Sequence, residues 1–253
     1  MKKANPKTHI QVSHNELTSL CAKAFMGLNK HCGEADIIAK MVADLEMVGL
    51  NGVKHFVNAL AFIEKDHDQP ISIDSECLQG VKADLKGCSI ICHLPSLLDY
   101  SVEKLAEQTA ITLILTHCHN RWLAFSELLK LAKQDLFVKA SWNNGSTAQQ
   151  VIYILDAGQC LPELYLSDQK ENDTHSLTIE ISQHPLSHPA VHDNMQHISA
   201  LHQADNQKNA WKQGIAVTQD DWAYLHSIAS HLLVESSERS RMGAGGDHTE
   251  KHQ

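Results

Sequence analysis

The apolar residues of this chain change their period once. Up to about residue 65 they recur at helical spacing, and from about residue 70 they alternate or gather in short runs. A 3.6-residue period cannot lie on a sheet and a two-residue period cannot lie on a helix, so a helical unit must be joined to a β-rich one. In the first part Ser13 to Glu16 reads S-H-N-E, a capping box ahead of Leu17, Leu20, Cys21, Ala24 and Phe25, which predicts a helix over about 14–28. Glu34 and Asp36 open a second helix, where carboxylates oppose the positive helix end, and Ile37, Ile38, Met41, Val42, Leu45 and Val48 give its apolar stripe. Gly49 and Gly52 stop and restart the chain into VKHFVNALAFIEKD, a third helical pattern.

In the second part SIICH, ITLILTHCH, LFVKASW, QVIYIL and LTIEIS have β character, and Ile71 and Ile73 alternate with polar residues. SVEKLAEQ and RWLAFSELLKLAKQ between them carry helical spacing, with turn signals at 143–145 and 170–175. Residues 184–209 are polar, with Pro185 and Pro189, and read as a loop holding a short helix. Thr218 to Asp221 then caps a last helix whose buried face is Trp222, Leu225, Ile228, Ala229, Leu232 and Leu233. The expected fold is α/β or α+β: three N-terminal helices, then a mixed β-sheet with packed helices and a C-terminal helix. One compact domain is expected over 1–253, with a helical part (about 13–65), a mixed α/β part (about 70–235) and a short Arg/Gly tail (236–253).

Thirty acidic side chains against 21 basic ones, with no block of like charge, leave little to bind a nucleic-acid phosphate track. The start has two lysines but no apolar segment of a secretory signal, and no run approaches the ~18 apolar residues of a membrane span. A cytoplasmic protein with no nucleic-acid or membrane partner is expected. Seven cysteines without a C-x-x-C pair read as reduced, mostly buried thiols.

Eighteen histidines raise the question of a metal. On a strand His117 and His119 would share one face, with Cys92 or His93 from a neighbouring strand as a third ligand. No acidic or cysteine partner lies at diagnostic spacing, and the sequence assigns no metal. The series His184, His188, His192, His197 and His202 is interrupted by prolines and reads as a polar loop. Ser141 lies in no nucleophile elbow, and Cys160 reads as a buried thiol acting as a small hydrophobe. Gly243 and Gly245 follow a helix, whereas a dinucleotide fingerprint follows a strand.

Only three of the cationic side chains are arginine, Arg121, Arg239 and Arg241, and two of them sit with three of the twelve glycines in SSERSRMGAGGDH. Arginine holds a carboxylate or phosphate with a planar fork, and glycines let successive backbone N–H groups converge on an anion. Arg239, Arg241, Gly243 and Gly245 are therefore candidate anion-binding residues. The competing explanation is a solvated tail paired locally with Glu235 and Glu238.

The segments VSHNELTSLCAKAFMGL, HCGEAD, DLEMVGLNGV and LLVESSERSRMGAGG together resemble a bacterial family catalogued as a domain of unknown function, number 3726 in that series. The resemblance carries the family's closing signature onto Ser236, Ser237, Ser240, Arg241, Gly243, Ala244 and Gly245, without the acidic ending that follows it in the family. More faintly, the front segment is similar to the opening helices of the type-2 malate/L-lactate dehydrogenases, which reduce 2-oxo acids with a nicotinamide cofactor. In that family a Gly-x-x-Ser-His-Gly turn after the second helix supplies the catalytic histidine. Here the turn reads Gly49-Leu50-Asn51-Gly52-Val53-Lys54-His55, with the histidine displaced and the serine absent.

The expected function is that of a protein of small-molecule metabolism which acts on or binds a carboxylate-bearing metabolite. His55, His117 or His119 would be acid or base, because histidine titrates nearest working pH. The alternative is a non-catalytic subunit or oligomerising module that uses the C-terminal tail. No catalytic motif is complete, and neither a reaction nor a cofactor is assigned.

Overall fold

In a computed structural model the described residues are 8–28, 32–66, 71–74, 80–144, 149–168, 175–189 and 195–232. The chain opens with a short strand β1 (His9–Val12) and three helices, α1 (His14–Gly27), α2 (Cys32–Met47) and α3 (Gly52–Lys65). The capping box forms as its sequence dictates: Glu16 N–H donates to Ser13 Oγ, and Ser13 N–H donates to a Glu16 carboxylate oxygen at 2.7 Å. Helices α2 and α3 cross so closely that a Cβ on Gly52 would sit 2.1 Å from the Val42 carbonyl oxygen, which only glycine permits.

An eight-stranded sheet follows, in the order β2-β3-β4-β8-β5-β6-β7-β9. Its strands are β2 (Ser72–Asp74), β3 (Gly80–Asp84), β4 (Ala110–Thr116), β5 (Phe137–Asn143), β6 (Gln149–Leu155), β7 (Glu163–Asp168), β8 (Leu177–Ser182) and β9 (Met195–Ile198). Strands β3 and β4 are parallel, linked through α4 (Leu94–Lys104); the other neighbours are antiparallel. Because β8 opposes both β4 and β5, the strands β3, β4 and β5 all run the same way and end at one edge. Burial alternates along β4 and β5 as a half-covered sheet requires, and α5 (Phe125–Ala132) packs on β5 and α2.

The chain closes with α6 (Ala200–Gln213), β10 (Ile215–Thr218) and α7 (Gln219–Ala229). β10 pairs antiparallel with β1, and α7 packs on α1, where a Cβ on Gly27 would meet the Ile228 carbonyl oxygen at 2.2 Å. The Thr218 cap is present, with Asp221 N–H donating to its hydroxyl at 3.2 Å.

The fold is thus the mixed α/β arrangement that the change of period implies, with local differences. SIICH is not a strand: Ser89 caps a single 3₁₀ turn, Ile90–Cys92, and Pro95 starts α4 behind it. The polar 184–209 stretch holds β9 and the first ten residues of the fourteen-residue α6. That helix exposes most of its surface and buries Gln203, whose amide donates to the Pro162 carbonyl. Cys160 is exposed rather than buried, just past the Gly158 turn; Cys21 and Cys118 are buried, and Cys88 and Cys92 half-buried.

Candidate functional site at the carboxyl ends of the strands

The edge where β3, β4 and β5 end is where an open α/β sheet places ligands, because crossover connections splay apart there. The two loops leaving β3 and β4 do not splay at once. They continue pairing past the strands: Gly87 N–H donates to His117 O at 2.7 Å, His119 N–H to Cys88 O at 3.0 Å, and Ile90 N–H to His119 O at 3.1 Å. Cys118 N–H reaches His175 O, just before β8, at 2.8 Å. Arg121 lies buried beneath, its guanidinium donating to Cys118 O at 2.6 Å and Asn143 O at 3.1 Å, so it ties the ends of β4 and β5 together.

The opposite wall is one stripe of α3. His55, Ala59, Phe62 and Asp66 follow one another at helical spacing. His55 rests on Trp122 (ring centroids 5.8 Å), Trp122 meets Trp142 edge-on at 5.2 Å, and Phe62 stacks on His119 at 4.1 Å. His175 tilts against His119 at 4.7 Å. Asp66, at the end of α3 and 6% exposed, places Oδ2 3.0 Å from His93 Nε2. Among the described residues Asp66, Cys88 and His93 form a group whose ligand atoms all lie within 4.8 Å of one another.

The three candidate histidines have separate environments. β4 ends at Thr116, and His117 takes a left-handed backbone (φ 49°) that turns its exposed ring to Asp84, 2.9 Å away. His119 turns to Phe62 instead, so the two do not form the strand-borne pair expected from H-C-H. Desolvation first, then the nearby His175 and the Arg121 charge, hold His119 below the usual imidazole range. Desolvation, with a smaller contribution from Lys54, pushes His55 down to about 4. Arg239, Arg241, Gly243 and Gly245 lie outside the described residues.

Near this edge Nε1 of buried Trp142 and Oδ1 of Asn120 have no hydrogen-bond partner among the described residues, and Asn120 also sits at positive φ (61°). A buried donor without an acceptor costs about 1–3 kcal/mol and is a standing invitation to a ligand. Sequence patterning gave no sign of Asp66, Cys88 or Trp142. Their signal is tertiary, apart from the spacing of Phe62 and Asp66 on the His55 face of α3.

The architecture is that of the malate/lactate dehydrogenase-like fold. A malate dehydrogenase from Pyrococcus horikoshii OT3 superposes with a TM-score of 0.68 at 11% identity, over 93% of this chain and 99% of that one. A dehydrogenase from Sinorhizobium meliloti gives 0.68 at 10% identity, over 88% and 100%. A sulfolactate dehydrogenase from Methanocaldococcus jannaschii gives 0.60 at 10%, over 87% and 97%. Such identities establish the fold alone. In sequence, residues 12–89 match the family model described as Protein of unknown function (DUF3726), in line with the resemblance of the front segments. No curated protein matches the sequence significantly.

Among the described residues, the turn after α2 does not supply the proton donor that a nicotinamide-dependent reduction needs there. That chemistry needs an acid able to give a proton to the carbonyl oxygen near neutral pH. The turn after α2 offers Asn51, at φ 54°, and His55 beyond it is held neutral against Trp122.

Proposed function

We propose that this chain is a cytosolic protein of small-molecule metabolism that binds a carboxylate-bearing metabolite between the α3 stripe and the loops after β3, β4 and β5. The observation that carries this reading is the placing of a buried guanidinium at this edge: Arg121, donating to Cys118 O and Asn143 O, puts a positive potential at the ends of β4 and β5, two residues from His119. An anion would be drawn to that potential, and the indole N–H of Trp142 offers a donor that has no acceptor among the described residues. His119, neutral at working pH, would act as a hydrogen-bonding group rather than as a second cation. Solved neighbours named for malate, sulfolactate and Δ1-piperideine-2-carboxylate all take carboxylates, which supports the ligand class by analogy of fold.

The test is a thermal-shift panel of small 2-hydroxy, 2-oxo and cyclic imino carboxylates against the full chain. A saturable shift that falls at least about tenfold in apparent affinity in Trp142→Phe is expected, from losing one charge-assisted hydrogen bond. No saturable shift with any carboxylate would end the reading. Within the same proposal Arg241, with Arg239 and the backbone at Gly243 and Gly245, would clamp the same class of anion; Arg241→Ala should then weaken the shift.

A second reading is a homo-oligomerising module. It is favoured by Leu201 and Trp211 on α6 and Tyr224 on α7, large apolar side chains that are 73%, 63% and 49% exposed. Sedimentation of the full chain against residues 1–232 tests it: an assembly lost on truncation supports the tail as its organiser, and a monomer in both rejects it.

A further inference from the structure

We infer that Asp66, Cys88 and His93 form a binding site for a divalent transition metal of the zinc class. The three come from different places, the end of α3, the loop after β3 and the residue before α4, yet their ligand atoms lie within 4.8 Å of one another. Two local devices bring them together. The α3 stripe ends in Asp66, whose N–H is fastened to the carbonyls of Phe62 and Ile63, and Cys88 is locked where its carbonyl accepts from His119 N–H.

The donor set suits the ion. Thiolate, imidazole and carboxylate are the ligands zinc takes in four-coordinate sites, and the thiolate and carboxylate charges together balance a 2+ ion. Bond lengths of that kind put neighbouring ligand atoms about 3.4 Å apart, so the 3.0 Å contact between His93 and Asp66 needs only a small opening. Three protein ligands leave a fourth position for water or an oxygen of a ligand, the pattern of a catalytic rather than a structural site.

The same three residue types also compose a nucleophilic triad, and the geometry separates the two. In a triad the imidazole stands between acid and nucleophile, which puts thiol and carboxylate roughly 7 Å apart on opposite sides of the ring. Here sulfur and carboxylate oxygen lie within 4.8 Å of each other and of the imidazole nitrogen. That mutual closeness serves an ion, and it is too short for a relay with the ring in between.

Cobalt(II) reads the proposal directly. Full-length protein, stripped with chelator and kept reduced, is titrated with Co²⁺ in the absence of any carboxylate. One equivalent per chain should develop the strong visible bands of four-coordinate cobalt and a near-ultraviolet thiolate-to-cobalt charge-transfer band, both bleached by one equivalent of Zn²⁺. Cys88→Ser should remove the charge-transfer band, Asp66→Asn should weaken binding by about 100-fold, and Cys92→Ser should keep the wild-type spectrum. Wild-type protein that gives no charge-transfer band overturns the proposal, as does a band that survives Cys88→Ser or is lost only in Cys92→Ser. A metal at this point would give the proposed carboxylate an electrophilic anchor. Because the titration contains no carboxylate, it stands or falls apart from that reading.

Discussion

Nε2 of His93 lies 3.0 Å from Oδ2 of Asp66, joining the end of α3 to the start of α4 across 27 residues of sequence. Asp66 is almost wholly withdrawn from water, and a buried carboxylate must be held by hydrogen bonds or positive charge. His93→Leu removes one such partner and should cost about 1–3 kcal/mol in urea unfolding at pH 7. Asp66→Asn keeps an acceptor for the imidazole and should cost less. Equal losses in the two variants would show that the contact is incidental.

His55 sets a pH dependence. Its folded pKa is depressed from 6.5 to about 4, so the unfolded chain binds the proton more readily. The stability linked to it is complete above about pH 6.5 and is lost as pH falls toward 4, on the order of 3 kcal/mol. His55→Phe keeps an aromatic ring against Trp122 and should flatten the stability profile over that window. Parallel profiles for the two proteins would refute the assignment.

Glu46 works in the opposite sense. Desolvation raises its pKa, Val53 N–H donating to its carboxylate lowers it, and Asp221 raises it further. A raised carboxyl is most stabilising when protonated in both states and becomes a liability as pH climbs through and above the ordinary carboxylate range. Glu46→Gln retains an acceptor for Val53 and should raise the melting temperature at pH 7 while leaving it unchanged at pH 3.5. A lower melting temperature at pH 7 would contradict this.

Glycines in α1 and α2 should answer differently to the same change. Gly27→Ala drives a methyl into the Ile228 carbonyl and should cost about 1–3 kcal/mol. Gly33→Ala meets nothing within 4 Å and should stabilise by about 0.5–1 kcal/mol through the unfolded chain. Chemical denaturation of both variants checks the contrast.

Arg121 and His117 are only four residues apart and should also differ. Arg121→Met abandons two carbonyls at the ends of β4 and β5 and should cost about 2–3 kcal/mol. His117→Ala touches only exposed groups and should stay within about 0.5 kcal/mol of wild type. A large effect of His117→Ala on ligand binding would move the site outward to Asp84.

What could be read from the sequence was whatever is local. Capping at Ser13 and Thr218, the three opening helices and strands such as β4 and β5 follow from spacing and cap chemistry within a few residues. The short strand β3, only five residues long, carries too little pattern to stand out, and α6 reads only as a short helix in a loop, not as fourteen residues, because it shows water most of its surface. H-C-H misled because a single left-handed residue at His117 ends the alternation that would have paired it with His119. The Asp66, Cys88 and His93 group depends on a parallel pairing between β3 and β4 and on where α3 stops, neither of which any spacing encodes.

The pairing of β1 with β10 has a consequence for synthesis. His9 lies opposite Thr218, and α1 rests on α7, so α1 finds this seat only after the roughly 200 residues that separate it from α7 have been made. At ordinary elongation rates that interval is on the order of ten seconds or more. Throughout it the apolar side of α1 is without its final cover, and a nascent chain stalled before residue 215 would be a natural client for a chaperone.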